Sequence, residues 1–505
     1  MTKDEAQPPF SLPMLVLCAL APVLCLLPFI TKPIHIDDPL FIWTAQHILQ
    51  TPLDFYGFDV NWYRSAAPIF EVQQNPPGLS YYFAAIAALL GWTTPADWSE
   101  SILHILMFLP AALCGAMAYT IARHFTPNAS LAALLATLNP AFLVSASTLM
   151  SDIPMLAFFL CSIATWLHGL KTKSYGWLFL GAILIIPAFL CKYFALISLI
   201  PLLAAAAILL PTRNFKAIPL LILPLLALLA YEYHCIRLYG QGHFLHTLGY
   251  TESFIGDDGT GETFLTKIRI TLQFMLVLAP AMFLIPIINL IYPKQFIKEC
   301  SAALKSLNTH FLILWIGGTL VFVLFINHFI NARILLPLLV PGTVVLFLGN
   351  SPLKTAKKIA CYSILFLSTV LSVITLQADY FHAWNAHNMA MEAPKYIKEG
   401  TLWFSGHWGF QYYLEQYGGE AYDLEQSQLK SGDVFILPKN NTNLLTPPTE
   451  LIQAETCIEF PATPLGILMN KEANAGFYSH LFGAWPYIPG LSEPERLVVY
   501  EIDIP

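Results

Sequence analysis

The sequence predicts a polytopic α-helical membrane protein with about 11 transmembrane helices, further helices on the outer membrane surface, and a small C-terminal α/β domain. Of its 505 residues, 56% are hydrophobic and only 11% are charged, whereas a soluble domain carries about 25% charged residues. Long apolar runs recur up to residue 378, and short strand-like runs separated by turns follow in 379–505. Most of the chain is therefore expected to lie in lipid.

Each predicted span is an apolar run close to the roughly 20 residues that cross a bilayer. The first run, 11–30, is longer than a signal-peptide core of roughly 7–15 residues and has no small-residue cleavage site before Lys32, so we interpret it as a retained span. The predicted spans are 11–30, 101–122, 130–150, 153–170, 175–191, 193–211, 217–239, 270–292, 310–329, 334–350 and 359–378.

The distribution of basic residues orients these spans. Lys and Arg fall into compact clusters, and enough apolar chain for two spans separates each cluster from the next. The clusters contain Arg123; Lys171 and Lys173; Arg213 and Lys216; Lys294, Lys298 and Lys305; and Lys354, Lys357 and Lys358. All of them therefore lie on one face, which the positive-inside rule makes cytoplasmic. The short apolar segment 78–92 would invert this arrangement if it spanned, so we expect it, like 39–49, to lie on the outer surface.

The same orientation predicts which segments face the outside. They are 31–99, 151–152, 191–192, 240–267, 331–333 and the C-terminal part 379–505. An ionisable residue at the end of a span, with little loop to solvate it, is a functional candidate. Because the few such residues of the outer face come from separate hairpins, we expect them to converge on one site.

Two adjacent carboxylates, Asp37 and Asp38, lie near the start of the first outer loop. Neighbouring carboxylates repel each other, so the pKa of one is expected to be raised. An ionised carboxylate here can accept a proton from an acceptor hydroxyl or amine as it attacks a sugar carbon, while its neighbour orients it or binds the acceptor. The alternative is structural, because acidic residues before Pro39 also favour the start of a helix. The two interpretations are compatible.

Three further residues of the outer face lie at span ends. Asp152, in LMSDIPML, either supports an active site or caps a helix. Lys192 and Arg333 can bind the phosphate of a lipid, Arg through two parallel hydrogen bonds and Lys as a point charge. Snorkelling of each side chain to lipid headgroups is the alternative. Because both cations face the same loop as two acids, the sequence favours a phosphate site.

Other kinds of site have less support. No CxxC or HxxxH spacing indicates zinc, and no basic patch indicates nucleic acid. Outer-face histidines together with carboxylates are compatible with a divalent metal, but no spacing requires one, so no cofactor is predicted with certainty. These histidines are His35, His47, His243, His246 and His407. The glycine-bearing loop 240–267 is expected to be a mobile cover. Its acidic residues are Glu252, Asp257, Asp258 and Glu262.

Several motifs, taken in order, resemble those of a known group. The acidic pair and a following aromatic lie in HIDDPLFIWTAQHI, and QNPPGLSYYFAAIAALLG, MSDIPML, CKYFAL and NARILLPLLVP come later. Over roughly residues 12–350 the chain resembles the C-type integral-membrane glycosyltransferases, the wider group of protein O-mannosyltransferases and bacterial aminoarabinose transferases. This resemblance implies a polyprenyl-phosphate sugar donor, an outward-facing site and inversion at the sugar carbon. Asn75 stands where many relatives have Lys.

The resemblance also implies roles for individual residues. It makes Asp37 the catalytic acid, Asp38 its acidic neighbour, which in the family is usually Glu, and Asp152 the second outer acid. Arg333 matches a basic residue that faces the donor phosphate, and Lys192 is a weaker match of the same kind.

These features together predict a glycosyltransferase of the bacterial inner membrane. Residues 1–378 would form the transmembrane transferase domain, and 379–505 a periplasmic α/β domain. The enzyme is expected to move a hexosyl or pentosyl group from a polyprenyl-phosphate donor to a lipid, glycan or protein acceptor on the periplasmic face. A transporter or lipid flippase is the main alternative, but repeats and charges at the bilayer midplane, which transporters tend to show, are not found. A non-catalytic scaffold would leave the convergence of outer acids and cations unexplained.

Overall fold

The computed structural model describes residues 10–256, 264–290, 304–327, 329–348, 355–397 and 399–504, together with positions 293, 297 and 301. Most of these residues are helical. The α-helices are α1 (Leu12–Leu26), α2 (Asp38–Gln50), α3 (Ile69–Val72), α4 (Gly78–Leu90), α5 (Glu100–Ala122), α6 (Ala129–Thr137), α7 (Pro140–Ala146), α8 (Asp152–Thr172), α9 (Tyr175–Ile183), α10 (Ile185–Cys191), α11 (Phe194–Leu209), α12 (Ile222–Tyr239), α13 (His243–Gly256), α14 (Phe264–Leu278), α15 (Ala281–Asn289), α16 (Leu307–Val321), α17 (Leu336–Val345), α18 (Thr355–Glu392) and α19 (Trp408–Gln416). A π-helical turn, Phe322–Ile326, extends α16, and a 3₁₀ turn, Arg333–Leu335, leads into α17.

The chain is a multi-pass membrane protein. Six of the described helical segments are long and apolar enough to cross a membrane, and the number is up to eight if each of two bent helix pairs is one span. The pairs α6–α7 and α14–α15 bend by 59° and 82°. At the first bend Pro140 cannot donate a backbone hydrogen bond, and Asn139 restarts the helix by accepting the N–H of Phe142 at 3.1 Å. The predicted number of 11 spans is not confirmed, because several apolar runs form helices of only 10–17 residues.

The first outer loop contains the two helices that the sequence predicts there. α2 and α4 occupy the segments expected to be helical at 39–49 and 78–92. α4 begins at Gly78, directly after the paired prolines. A Cβ atom at this position would lie 2.5 Å from the carbonyl oxygen of Leu190. Glycine therefore lets the start of α4 approach the end of α10, immediately before Lys192.

A five-stranded mixed sheet dominates the C-terminal part. The strands of the chain are β1 (Asp59–Asn61), β2 (Ala66–Pro68), β3 (Leu402–Phe404), β4 (Glu420–Ala421), β5 (Val434–Pro438), β6 (Ile452–Phe460), β7 (Met469–Asn470), β8 (Ala475–Gly476) and β9 (Glu495–Ile502). The sheet has the order β4-β3-β5-β9-β6, with β3 parallel to β4 and β5, and β9 antiparallel to β5 and β6. The strand-like runs noted in the sequence at 434–438 and 496–502 are β5 and part of β9.

The C-terminal part packs directly on the first outer loop. α18 continues past the predicted end of the last span at residue 378 and ends at Glu392, so one 38-residue helix joins the two parts. The hydroxyl of Tyr413, on α19, accepts the N–H of Ile34 at 2.7 Å. A Cβ at Gly409 would lie 2.0 Å from the carbonyl oxygen of Ile34. This close approach places the sheet region over the segment that carries the acidic pair.

Candidate active site

Four side chains that the sequence places on the outer face meet in space. Arg333 lies between two carboxylates, with Nη2 at 3.6 Å from Asp37 Oδ2 and Nη1 at 3.6 Å from Asp152 Oδ2. Lys192 Nζ lies 2.5 Å from Asp152 Oδ1. The predicted convergence of acids and cations from separate hairpins is therefore observed.

Each of the four residues is held at the end of a helix or helical turn. Asp37 directly precedes α2, and Asp152 is the first residue of α8. Lys192 follows α10 in extended backbone, and Arg333 opens the 3₁₀ turn before α17. The packing of these helices brings their ends together, so that side chains from distant parts of the sequence reach one another.

The four side chains differ in exposure. Asp152 is 3% exposed and Arg333 13%, whereas Lys192 is 29% and Asp37 36% exposed. The buried Asp152 thus pairs with both cations and holds them in place. Burial within the surrounding protein raises the pKa of Asp37, and the positive charge of Arg333 opposes this rise. Asp37 is the more exposed of the two acids in this group.

A cavity of about 230 Å³ opens beside the two cations. Its polar end contains Asp152, Lys192 and Arg333, and most of the remaining wall is apolar. The apolar lining consists of Met155, Phe194, Ile197, Phe244, Leu248, Phe322, Ile326, Phe329, Ile334 and Pro337, with Tyr193 and Thr247 between them. Ile197 and Ile326 are more than a third exposed, so the apolar wall continues to the exposed surface of the helices.

Arg333 has donor capacity to spare at this polar end. A guanidinium carries five N–H donors. Both of its carboxylate contacts, at 3.6 Å, exceed hydrogen-bond length. Within the described part of the chain, its buried Nε has no hydrogen-bond partner, and Nη1 contacts the sulfur of Met150. A buried cation with unused donors at the mouth of an apolar cavity is suited to an oxyanion attached to a hydrophobic chain.

Asp38 takes a different position from its neighbour. It is fully buried, and its carboxylate accepts the backbone N–H of His35 at 3.1 Å and of Leu149 at 2.8 Å. Burial raises the pKa of Asp38 to about 7, although the charge of Lys32 and these two hydrogen bonds act in the opposite direction. The contacts tie the first outer loop to the turn before α8. They favour a role for Asp38 in shaping the site, while direct contact with the acceptor remains a sequence prediction.

The QNPP segment borders the cavity. It is held in place by His243, a contact that the sequence did not predict. Gln74 and Asn75 line the cavity. His243 Nε2 donates to the carbonyl oxygen of Gln73 at 2.7 Å, and its Nδ1 accepts the hydroxyl of Tyr193 at 2.6 Å. Burial lowers the pKa of His243 to about 4, so the imidazole is neutral at physiological pH. Its role here is to connect the QNPP segment with the residue that follows Lys192.

The loop expected to be a mobile cover is helical in its described part. α13 begins at His243, and its residues Phe244 and Leu248 line the cavity. Asp257, Asp258 and Glu262, and the side chain of Glu252, lie outside the described residues. So do Lys294, Lys298 and Lys354 of the basic clusters that are predicted to be cytoplasmic.

A second buried polar group lies next to the site and was missed in the sequence. Lys32, 1% exposed, pairs with Asp379, which is fully buried on α18. The hydroxyl of Tyr478 donates to the other oxygen of Asp379 at 2.9 Å, and the ring of Tyr478 lies beneath Arg333. A lone acid at the end of the last predicted span is a signal that could have drawn attention to Asp379.

The structure offers no preformed metal site in the residues it describes. Among them, no three His, Cys, Asp or Glu side chains are grouped so that they could hold a metal ion. Of the outer-face histidines, His243 is engaged as above, and His407 is stacked on Trp62 with ring centroids 5.1 Å apart.

Comparison with known proteins agrees with this architecture. Residues 74–234, about a third of the chain, match the protein family described as dolichyl-phosphate-mannose-protein mannosyltransferase. The crystal structure of ArnT from Cupriavidus metallidurans bound to undecaprenyl phosphate superposes with a TM-score of 0.52 at 11% identity, covering 85% of this chain and 94% of ArnT. The chain has the fold of the C-type integral-membrane glycosyltransferases. The resemblance noted in the sequence is thereby confirmed.

A second structure of this C-type fold is larger. The apo oligosaccharyltransferase of Archaeoglobus fulgidus superposes with a TM-score of 0.50 at 12% identity, covering 82% of this chain. The chain spans less than two thirds of that protein, 65% of its length. No curated protein matches the sequence significantly. The family match and the C-type fold support glycosyl transfer in general.

Proposed function

We propose that this protein transfers a sugar from a polyprenyl-phosphate donor to an acceptor on the periplasmic face of a bacterial inner membrane, with inversion at the sugar carbon. One observation carries the proposal: Arg333 and Lys192, fixed by the buried Asp152, border an apolar cavity while a partly exposed acid, Asp37, lies 3.6 Å from Arg333. The cavity suits a lipid chain, the cations suit its phosphate, and the acid is available to an acceptor.

The lipid phosphate is assigned to the polar end of the cavity. Arg333 has unused N–H donors there, and Lys192 adds a second positive charge. The superposition with ArnT, whose structure contains undecaprenyl phosphate, covers 85% of this chain. A prenyl chain would then extend along the apolar wall towards the membrane, between α11, α13 and the π-helical turn after α16. This arrangement leaves the sugar on the side of the outer loop.

The chemistry follows from these positions. An acceptor hydroxyl or amine attacks the anomeric carbon, and its proton passes to the carboxylate of Asp37. A new bond forms between the acceptor and that carbon as the bond from carbon to phosphate oxygen breaks. The departing polyprenyl phosphate gains one negative charge, which Arg333 and Lys192 stabilise. A single displacement of this kind inverts the sugar carbon.

Transfer from labelled donors tests the proposal. Purified protein would be given a panel of polyprenyl-phosphate sugars labelled in the sugar, and label reaching an acceptor fraction would be measured. General-base catalysis contributes roughly 10²–10⁴-fold, so Asp37→Asn should lose activity on that scale. Asp59→Asn is the matched control, because Asp59 is exposed in the same outer loop and lies outside the cavity.

Binding measurements separate catalysis from donor binding. Asp37→Asn should still bind undecaprenyl phosphate, because Asp37 is assigned to the acceptor and not to the phosphate. Full transfer by Asp37→Asn, or absence of transfer from every donor by the wild type, would refute the proposed reaction.

A further inference from the structure

The segment that follows β8 in the C-terminal part pairs with the backbone that carries Arg333. Ala332 N–H donates to the carbonyl oxygen of Phe477 at 2.9 Å, and His480 N–H donates to the carbonyl oxygen of Ile330 at 2.9 Å. In addition, Ile330 N–H donates to Nδ1 of His480 at 3.0 Å. Three hydrogen bonds thus fix residues 477–480 against 330–332, directly before Arg333.

Tyr478 lies in the middle of this contact and is 3% exposed. Its ring centroid is 5.6 Å from Cζ of Arg333, within the range of a cation–π interaction. Its hydroxyl donates to Asp379 at 2.9 Å, and Asp379 is itself paired with the buried Lys32. The ring is therefore held from one side by a buried polar group and presents its face to the guanidinium on the other.

The ring of Tyr478 contacts Arg333 and leaves the hydrogen-bond donors of the guanidinium unused. Asp37 and Asp152 attract the guanidinium from 3.6 Å, and neither distance is that of a hydrogen bond. An aromatic face interacts with the positive charge and restricts the plane of the guanidinium, yet leaves its N–H groups directed to the edge. For a group that must bind a phosphate with two parallel hydrogen bonds, such a support is favourable because less freedom is lost on binding.

From this geometry we infer that Tyr478 is a positioning residue for the donor-phosphate site, so that the C-terminal part of the chain completes the site formed by the membrane helices. The inference rests on the proposed function, since it concerns how Arg333 is presented to the phosphate. It gives the C-terminal part a defined role. This part supplies the aromatic ring that supports Arg333 and the hydrogen bonds that fix the backbone of residues 330–332, directly before Arg333.

Equilibrium binding of undecaprenyl phosphate to the full-length protein in detergent provides the test. Loss of a desolvated cation–π contact should weaken binding by roughly 5- to 30-fold in Tyr478→Leu. Tyr478→Phe keeps the ring and loses only the hydroxyl, so it should recover most of that affinity. Tyr500→Leu is the control for loss of a buried tyrosine, because Tyr500 lies in the sheet core away from the site.

If Tyr478 has a purely structural role, the affinity for undecaprenyl phosphate should depend on the shape of the side chain and not on the charge distribution of its ring. Phenylalanine analogues with increasing numbers of fluorine atoms can therefore be incorporated at position 478, which changes the charge of the ring face and leaves its shape nearly constant. A stepwise fall in affinity with fluorination supports the inference, and equal affinity throughout the series overturns it. This series also decides the matter if Tyr478→Leu does not fold.

The same series in an Arg333→Met background shows whether Tyr478 acts through Arg333. If it does, fluorination should change affinity by less than about 2-fold there, because the cation is gone. An undiminished effect in that background would overturn the inference while leaving the proposed function intact. Wild-type affinity in Arg333→Met alone would instead refute the phosphate site itself, and with it both proposals.

Discussion

Replacement of Arg333 by Met is the most direct test of the donor-phosphate site. The side chain is 13% exposed, so its interactions are only weakly screened by water. A hydrogen bond to a charged group contributes about 1.5–3 kcal/mol. With two such bonds to one phosphate and some compensation by Lys192, a loss of about 3 kcal/mol is expected, which corresponds to an increase in Kd on the order of 100-fold. Arg333→Lys keeps the charge but not the planar fork, so it should fall between wild type and Arg333→Met.

The assay is equilibrium binding of undecaprenyl phosphate to purified protein, with thermal unfolding recorded for each variant. Arg496→Met is the matched control, because Arg496 is 40% exposed and pairs with Glu459 at 3.1 Å on the sheet. An exposed pair of this kind is strongly screened by solvent, and its loss should leave the Kd unchanged. A folded Arg333→Met variant that binds within 2-fold of wild type would refute the reasoning.

Three further predictions concern neighbouring residues. Lys192→Met should weaken undecaprenyl phosphate binding by about 1–2 kcal/mol, less than Arg333→Met, because a single more exposed charge is lost. The acidic limb of the pH–activity profile should lie above the ordinary titration range of an aspartate, since the pKa of Asp37 is raised. Arg333→Met should move this limb to still higher pH, because removal of a neighbouring positive charge raises the pKa of Asp37 further. Asp38→Asn leaves one backbone N–H without an acceptor, so the free energy of unfolding near pH 5 should fall by about 1–3 kcal/mol.

Each of these predictions has a contrary outcome. Equal binding by Lys192→Met would remove Lys192 from the phosphate site, and an acidic limb unaffected by Arg333→Met would show that Asp37 is not the titrating group.

The pKa of Asp38 is raised to about 7, so the folded state binds more protons than the unfolded state between about pH 4 and 7. Wild-type stability should therefore fall as pH rises through this window, and the fall should be smaller in Asp38→Asn. An identical slope in both proteins would contradict a buried, proton-binding Asp38.

The sequence by itself determined the kind of protein and the members of the candidate site. Hydropathy and the positions of Lys and Arg are properties of short stretches, and they predict which residues face the outside without knowledge of packing. Asp37, Asp152, Lys192 and Arg333 were found in this way, and they meet in the structure. The strands β5 and β9 were likewise visible as local runs.

Only the tertiary structure decided how the helices cross and what supports the site. Where an apolar run bends or ends its helix early depends on packing against its neighbours. Two predicted spans are bent pairs and others form helices of only 10–17 residues, so 11 predicted spans became six to eight candidates. The pair of Lys32 with Asp379 joins residues 347 positions apart, and Tyr478 reaches Arg333 from beyond the last span. No spacing in the sequence encodes such contacts, because they depend on how the C-terminal part packs on the membrane helices.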